Sequence, residues 1–117
     1  KVFFGVDKDD AEYTTSPPSS SSDHSVTYFD PGTSLMGIVR DLAQKGFDEG
    51  FDLFVLLGDD VELSPGWFDH VVDSFRNIYR STRSVLGFGC VALHDETSPH
   101  FPTFPVVGRA HIEALGQ

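Results

Sequence analysis

The stretch from Phe51 to Phe68, Phe-Asp-Leu-Phe-Val-Leu-Leu-Gly-Asp-Asp-Val-Glu-Leu-Ser-Pro-Gly-Trp-Phe, constrains this chain most. Leu53 to Leu57 is an unbroken apolar run of strand length, which reads as a strand over residues 52–57 covered on both faces, as in a parallel sheet. It stops abruptly at Asp59 and Asp60, with Glu62 just beyond. In an open sheet with helices on its faces, ligands bind past the carboxyl ends of the strands, where these two carboxylates are expected. Adjacent carboxylates repel each other and are held together most readily by a cation. A magnesium or manganese ion prefers oxygen ligands and commonly takes one or two carboxylates together with substrate phosphates. The pattern therefore points to a metal-assisted site for a phosphorylated ligand.

The remaining elements follow the same alternation. Val2 to Val6 reads as a first strand, ending in the acidic turn Asp7-Lys8-Asp9-Asp10. Residues 14–25, with Pro17-Pro18 and Ser19 to Ser22, read as a flexible surface loop. Val26 to Phe29 suits a short strand. Thr33 or Ser34 can cap a helix with Leu35, Ile38, Val39 and Leu42 on one face, ending at Gly46. Ser64 and Pro65 are expected to open a second helix, whose broad apolar face carries Trp67, Phe68, Val71, Val72, Phe75 and Ile78. Val85 to Leu93 reads as another strand, interrupted by Gly87 and Gly89. A proline-rich loop, a short apolar segment at Val106-Val107 and a helix from Ala110 to Leu115 complete the chain. The expected fold is a single α/β domain over residues 1–117, with a mainly parallel sheet in three α/β/α layers.

Composition narrows the function classes. The chain of 117 residues has room for one small core, and 39% hydrophobic and 13% aromatic residues fit a globular protein. With 18 acidic and 8 basic side chains the net charge is -10, which argues against nucleic-acid or anionic-membrane binding through a basic surface. No apolar run reaches the roughly 18 residues of a membrane span. Cys90, the one cysteine, lies in an apolar run and reads as an inert core residue. No phosphate loop ending in Gly-Lys-Ser/Thr, no Gly-x-Ser-x-Gly turn and no paired-cysteine zinc motif occurs. The chain opens directly on a strand and stops just past a helix, so both ends read as cuts through a longer protein. A sheet cut in this way exposes an edge, which makes pairing with a second copy an expectation.

Four sequence blocks, FFGVDKDD, FDLFVLLGDDVELSPGWFDHVV, GFGCVAL and FPTFPVVGRAHIEALG, occur in that order. Together they resemble the family-2-like glycosyltransferases of the glycosyltransferase-A fold, across most of the chain outside the serine-rich loop. The resemblance implies a Rossmann-like partial domain that binds a nucleotide-diphosphate-sugar through Mn2+ or Mg2+ and transfers the sugar to a glycan or other hydroxyl acceptor. It implies that Asp7, Asp9 and Asp10 match the first acidic cluster, which holds base and ribose. Gly58-Asp59-Asp60 matches the metal-binding Asp-x-Asp position, with Gly58 in place of the first aspartate. Asp60 is then the expected metal ligand and Asp59 the ribose or second-layer carboxylate. Arg109 and His111 match a segment bordering the donor or acceptor site, Arg109 toward phosphate and His111 toward the metal. The stretch that supplies the general base in inverting members of the family does not occur here, which leaves Asp95 as the expected base by position. The alternative is a non-catalytic, degenerate glycosyltransferase fragment that binds a nucleotide, a sugar or a partner. A receiver-like signalling domain would need a lysine at a late strand end, where this chain has Gly108-Arg109.

Overall fold

The computed structural model describes residues 1–11, 21–58 and 60–115. Contacts gather into two compact units, residues 1–50 and 51–117.

In the first unit, β1 (Val2–Asp7) pairs in parallel with β2 (His24–Phe29), in register from Val2 opposite His24 to Asp7 opposite Phe29. The expected serine-rich loop reaches to 25, but the strand already begins at His24; its residues 14–20 lie outside the described residues. Helix α1 (Leu35–Asp48) is capped by Ser34, whose hydroxyl accepts from the Gly37 N–H at 3.1 Å. The helix lies close against β1 because Gly5 has no side chain. A Cβ there would meet the Ile38 side chain at 2.6 Å and Phe29 at 3.2 Å. Ser25 is buried and accepts from the Lys45 ammonium at 2.7 Å, which ties β2 to the helix. Gly46 does not end α1 as its sequence position suggests; it is buried inside the helix. The stop comes at Gly50, whose φ of +89° suits glycine and whose N–H reaches the Phe47 carbonyl. Leu35 stays exposed at the first turn, outside the apolar stripe assigned to it.

The second unit is an antiparallel sheet with a helix on one face. Its strand order is β3 (Leu53–Val55), β5 (Phe104–Gly108), β4 (Cys90–Leu93), with β5 antiparallel to both neighbours. Directly opposed residues share a face, so Val55, Val106 and Val91 form one row across the sheet. Helix α2 (Trp67–Thr82) lays Val71 and Phe75 over that row. Val106, at the centre, is 0% exposed. Helix α3 (Arg109–Leu115) follows β5 without a loop.

This corrects the expected mainly parallel, three-layer Rossmann-like sheet. The described strands form a two-stranded parallel pair and a three-stranded antiparallel sheet. A parallel return needs a crossover of a dozen or more residues, usually a helix. Residues 94–103, between β4 and β5, contain no helix, so β5 comes back antiparallel. It then takes the central place. The apolar run that read as a doubly covered strand is instead the short edge strand β3, with Leu56 and Leu57 beyond it 44% and 38% exposed. Pro105 is tolerated in the central strand because the β3 ladder stops at Val55, opposite Val106; beyond it Pro105 only accepts, its carbonyl taking the Leu56 N–H at 3.5 Å.

Two further readings change. Residues 85–89 turn rather than extend: Gly87 and Gly89 have φ of +83° and +121°, and the Phe88 N–H closes on the Val85 carbonyl. The strand is left with Cys90 to Leu93. Cys90 is in the row facing away from α2 and is exposed, not a core residue. At the start of α2, the side chain of Ser64 makes no cap. Ser64 to Trp67 is a turn with Pro65 and Gly66 at its centre, Gly66 at φ +78°, closed by the Trp67 N–H on the Ser64 carbonyl.

Candidate functional site

The acidic turn after β1 belongs to the first unit. The Lys8 N–H continues the ladder to the Phe29 carbonyl at 2.9 Å, and the Asp10 N–H closes a turn on the Asp7 carbonyl at 3.1 Å. Asp7, Asp9 and Asp10 are all exposed, and the Lys8 ammonium pairs with Asp30.

The other described candidates fall in the second unit, in three places. Asp60 and Asp95 line one open groove of about 690 Å³ between α2, the end of β4 and the segment after β3. Its volume is in the usual range for a small-molecule site. Asp60 lines it with its carboxylate folded back over Gly58. A Cβ on Gly58 would sit 2.8 Å from the Asp60 Oδ1. Gly58 is thus the residue over which Asp60 rests. Asp59 lies outside the described residues.

Asp95 sits in the loop that leaves β4. Its Oδ1 accepts from the Thr97 hydroxyl at 2.6 Å and from the Thr97 N–H at 2.8 Å, while the Ser98 N–H closes on its carbonyl. This is the local turn an aspartate makes with the backbone two residues on. The hydrogen bonds favour the charged form and hold the carboxyl below the usual aspartate range, the Thr97 hydroxyl contributing most. A general base works best with a pKa near the operating pH, so the arrangement makes Asp95 a turn-forming carboxylate and a weak base.

Arg109 points elsewhere. Its guanidinium donates from Nε to the Phe51 carbonyl at 2.9 Å, its backbone N–H bonds the Asp52 carbonyl at 2.8 Å, and Asp52 and Glu113 each lie 3.9 Å from it. It clasps the entry to β3 and borders a separate cavity of about 460 Å³ beside Phe75 and Arg76. His111 packs against the Phe88 ring, centroids 5.1 Å apart, and its Nδ1 is buried without a hydrogen-bond partner. Neither residue lines the groove of Asp60 and Asp95.

Sequence reasoning passed over several residues the groove contains. His70 reads from the sequence as an unremarkable histidine, while His94, beside Asp95 and Glu96, reads as one that can complete a metal shell or act as a base, and Trp67 as part of an apolar helix face only. Trp67 does pack against the core, edge-on to Phe68 at 5.6 Å, but it also lines the groove. The turn at Pro65-Gly66 was the available signal, since it sets the first residue of α2 beside the acidic segment.

Among the described residues, no three histidine, cysteine, aspartate or glutamate side chains are arranged to hold a metal ion, and no helix is long and apolar enough to cross a membrane. An exposed Asp60, with Glu62 close in sequence, fits a cation that arrives with a diphosphate, since magnesium and manganese need only one or two protein carboxylates when phosphates supply other oxygens. It does not fit a metal held by protein groups alone. Compared with known proteins, the chain matches no family model, no curated protein and no solved structure.

Proposed function

We propose that this chain carries the donor-binding part of a glycosyltransferase, taking a nucleotide-diphosphate-sugar through a divalent cation at Asp60 and passing the sugar to a hydroxyl acceptor. The observation that carries this reading is that Asp60, in the segment after β3, lines a ligand-sized groove. The order of the sequence blocks supports it; the fold does not enter, because the sheet differs from the one the resemblance implies. Asp60 would hold the cation, which when bound neutralises the diphosphate and assists its departure. Glu62 would add a second oxygen ligand or orient water on the ion.

Calorimetric titration with UDP and GDP, each with and without manganese, tests the proposal. Manganese-dependent binding of either is expected, with manganese alone binding weakly. Asp60→Ala, a change at an exposed position, is expected to abolish the manganese-dependent part while leaving the circular dichroism spectrum unchanged. Undiminished affinity in that variant removes Asp60 from the site.

A second reading, binding without turnover, is favoured by Asp95. Its carboxylate is stabilised by Thr97, and a base so stabilised is slow to take the acceptor proton. Nucleotide-sugar that binds and is returned unconverted in the presence of acceptors identifies this case.

A further inference from the structure

Resting on the donor-site reading above, we infer that the same groove also selects its acceptor by charge, and that the acceptor is an uncharged polyhydroxylated saccharide rather than an acidic one. The described residues lining the groove include four carboxylates, Asp60, Glu62, Asp95 and Glu96, and neither lysine nor arginine. Two arginines of this unit have partners away from the groove: Arg76 pairs with Asp73 at 2.9 Å, and Arg109 clasps the Phe51 carbonyl.

The rest of the lining suits a sugar ring. Trp67 and Phe104 offer aromatic surface, and Val91 and Leu93 extend it. An apolar wall of this kind takes the C–H face of a pyranose. Hydroxyls of Ser64, Ser74, Thr97 and Thr103 border the same space. A hydroxyl both donates and accepts, and a carboxylate accepts, so the hydroxyls of a neutral saccharide find partners on every side. A uronate or sulfate finds no lysine or arginine among the described lining residues, and only the imidazoles of His70 and His94 as groups that can take up a positive charge, against four carboxylates. Its own charge meets like charges in a concave site, where field lines are focused and the repulsion acts on both association and residence. A cation at Asp60 would be matched by the diphosphate that brings it and would not offset the carboxylates near Asp95 and Glu96.

Trp67, the only tryptophan of the chain, lines this groove as well as packing against the core, so its fluorescence responds to a ligand bound here. The full chain is titrated with a neutral cello-oligosaccharide and with an oligogalacturonate of equal length, at low salt and at roughly 0.5 M salt, where screening lengths fall to a few Å. The expected result is a fluorescence change saturating with the neutral sugar, about tenfold weaker binding of the uronate at low salt, and a gap that narrows at high salt. The double variant Glu62→Gln, Glu96→Gln, at two exposed positions, narrows the gap at low salt in the same way. Equal or tighter uronate binding overturns the inference, as does a fluorescence signal indifferent to both sugars. Calorimetry with UDP or GDP and manganese on the same sample separates the two ideas. Nucleotide binding without sugar selectivity sinks the acceptor inference and leaves the donor reading standing; selectivity without nucleotide binding does the reverse.

Discussion

Replacing Gly108 by alanine tests the packing of the second unit at its tightest point. Gly108 is buried at the end of the central strand β5, opposite Leu53 and in the row that faces α2. A Cβ added there would lie 1.7 Å from the Gly87 carbonyl oxygen and 2.7 Å from its carbon, against an ordinary contact of 3.4 Å or more. Its backbone does not fall among the left-handed residues, so alanine suffers no dihedral strain and the penalty is steric. Something must move by about 1.7 Å. The end of β5 is held by the register with β3 and by the Arg109 N–H on the Asp52 carbonyl at 2.8 Å. The turn at 85–88 is held by one backbone hydrogen bond, and its Val85 and Leu86 are already exposed, so the turn gives way. Overpacking of this kind costs ~1–3 kcal/mol. Alanine also restricts the unfolded chain, which returns ~0.4–1 kcal/mol. A contact as short as 1.7 Å puts the overpacking cost in the upper part of that range, about 2–3 kcal/mol, so the net loss is about 1–2.6 kcal/mol, or roughly 4–20 °C in Tm for a unit of this size. Urea unfolding followed by Trp67 fluorescence reads it, because the only tryptophan belongs to this unit. A midpoint unchanged or raised in Gly108→Ala would refute the close approach of Gly87 to Gly108, and with it the placing of the 85–89 turn over the end of β5.

The Asp95 turn predicts a pH dependence with a definite sign. Its folded pKa lies below the usual aspartate value, so its contribution to stability is present above that value and disappears as pH falls through the lowered one. Thr97→Val removes the hydroxyl donor, and carboxyl-carbon NMR should show the Asp95 midpoint rise toward the ordinary range; an unmoved midpoint contradicts the assigned hydrogen bond. Cys90 should react with a disulfide reagent in the native state at a rate within about tenfold of the unfolded chain, as an exposed thiol does, and protection until denaturant is added would place it inside.

Much of the local structure was legible in the sequence. The apolar spacing of Val71, Phe75 and Ile78 marks the face that α2 buries, and the serine before Leu35 caps α1 as expected. Both signals are contained within a turn or two of the helix they describe, so no distant contact is needed to read them. Asp60 was placed past the carboxyl end of its strand, and it lies there. The shared groove with Asp95 was not legible, because the two are brought together by the pairing of β3 and β4 with a strand that read as a two-residue apolar segment.

What the chain's own sequence determined is therefore where helices begin, which faces they bury, where apolar strand material lies and where carboxylates cluster. Tertiary structure alone decided the direction and order of the strands. An apolar run such as Leu53 to Leu57 speaks for cover over the faces of a strand but does not say whether one or both of its edges are paired. The decision rested with Phe104 to Gly108, which enters between β3 and β4 and carries the fully buried Val106. That pairing draws on residues 11 to 55 positions apart. Backbone hydrogen bonding is the same for any sequence, so the choice among registers and directions falls to which set of side chains buries together, and this is a property of the assembled unit. The same assembly turned Arg109 toward the Phe51 carbonyl and away from the groove, and left Cys90 on the outer face of the sheet.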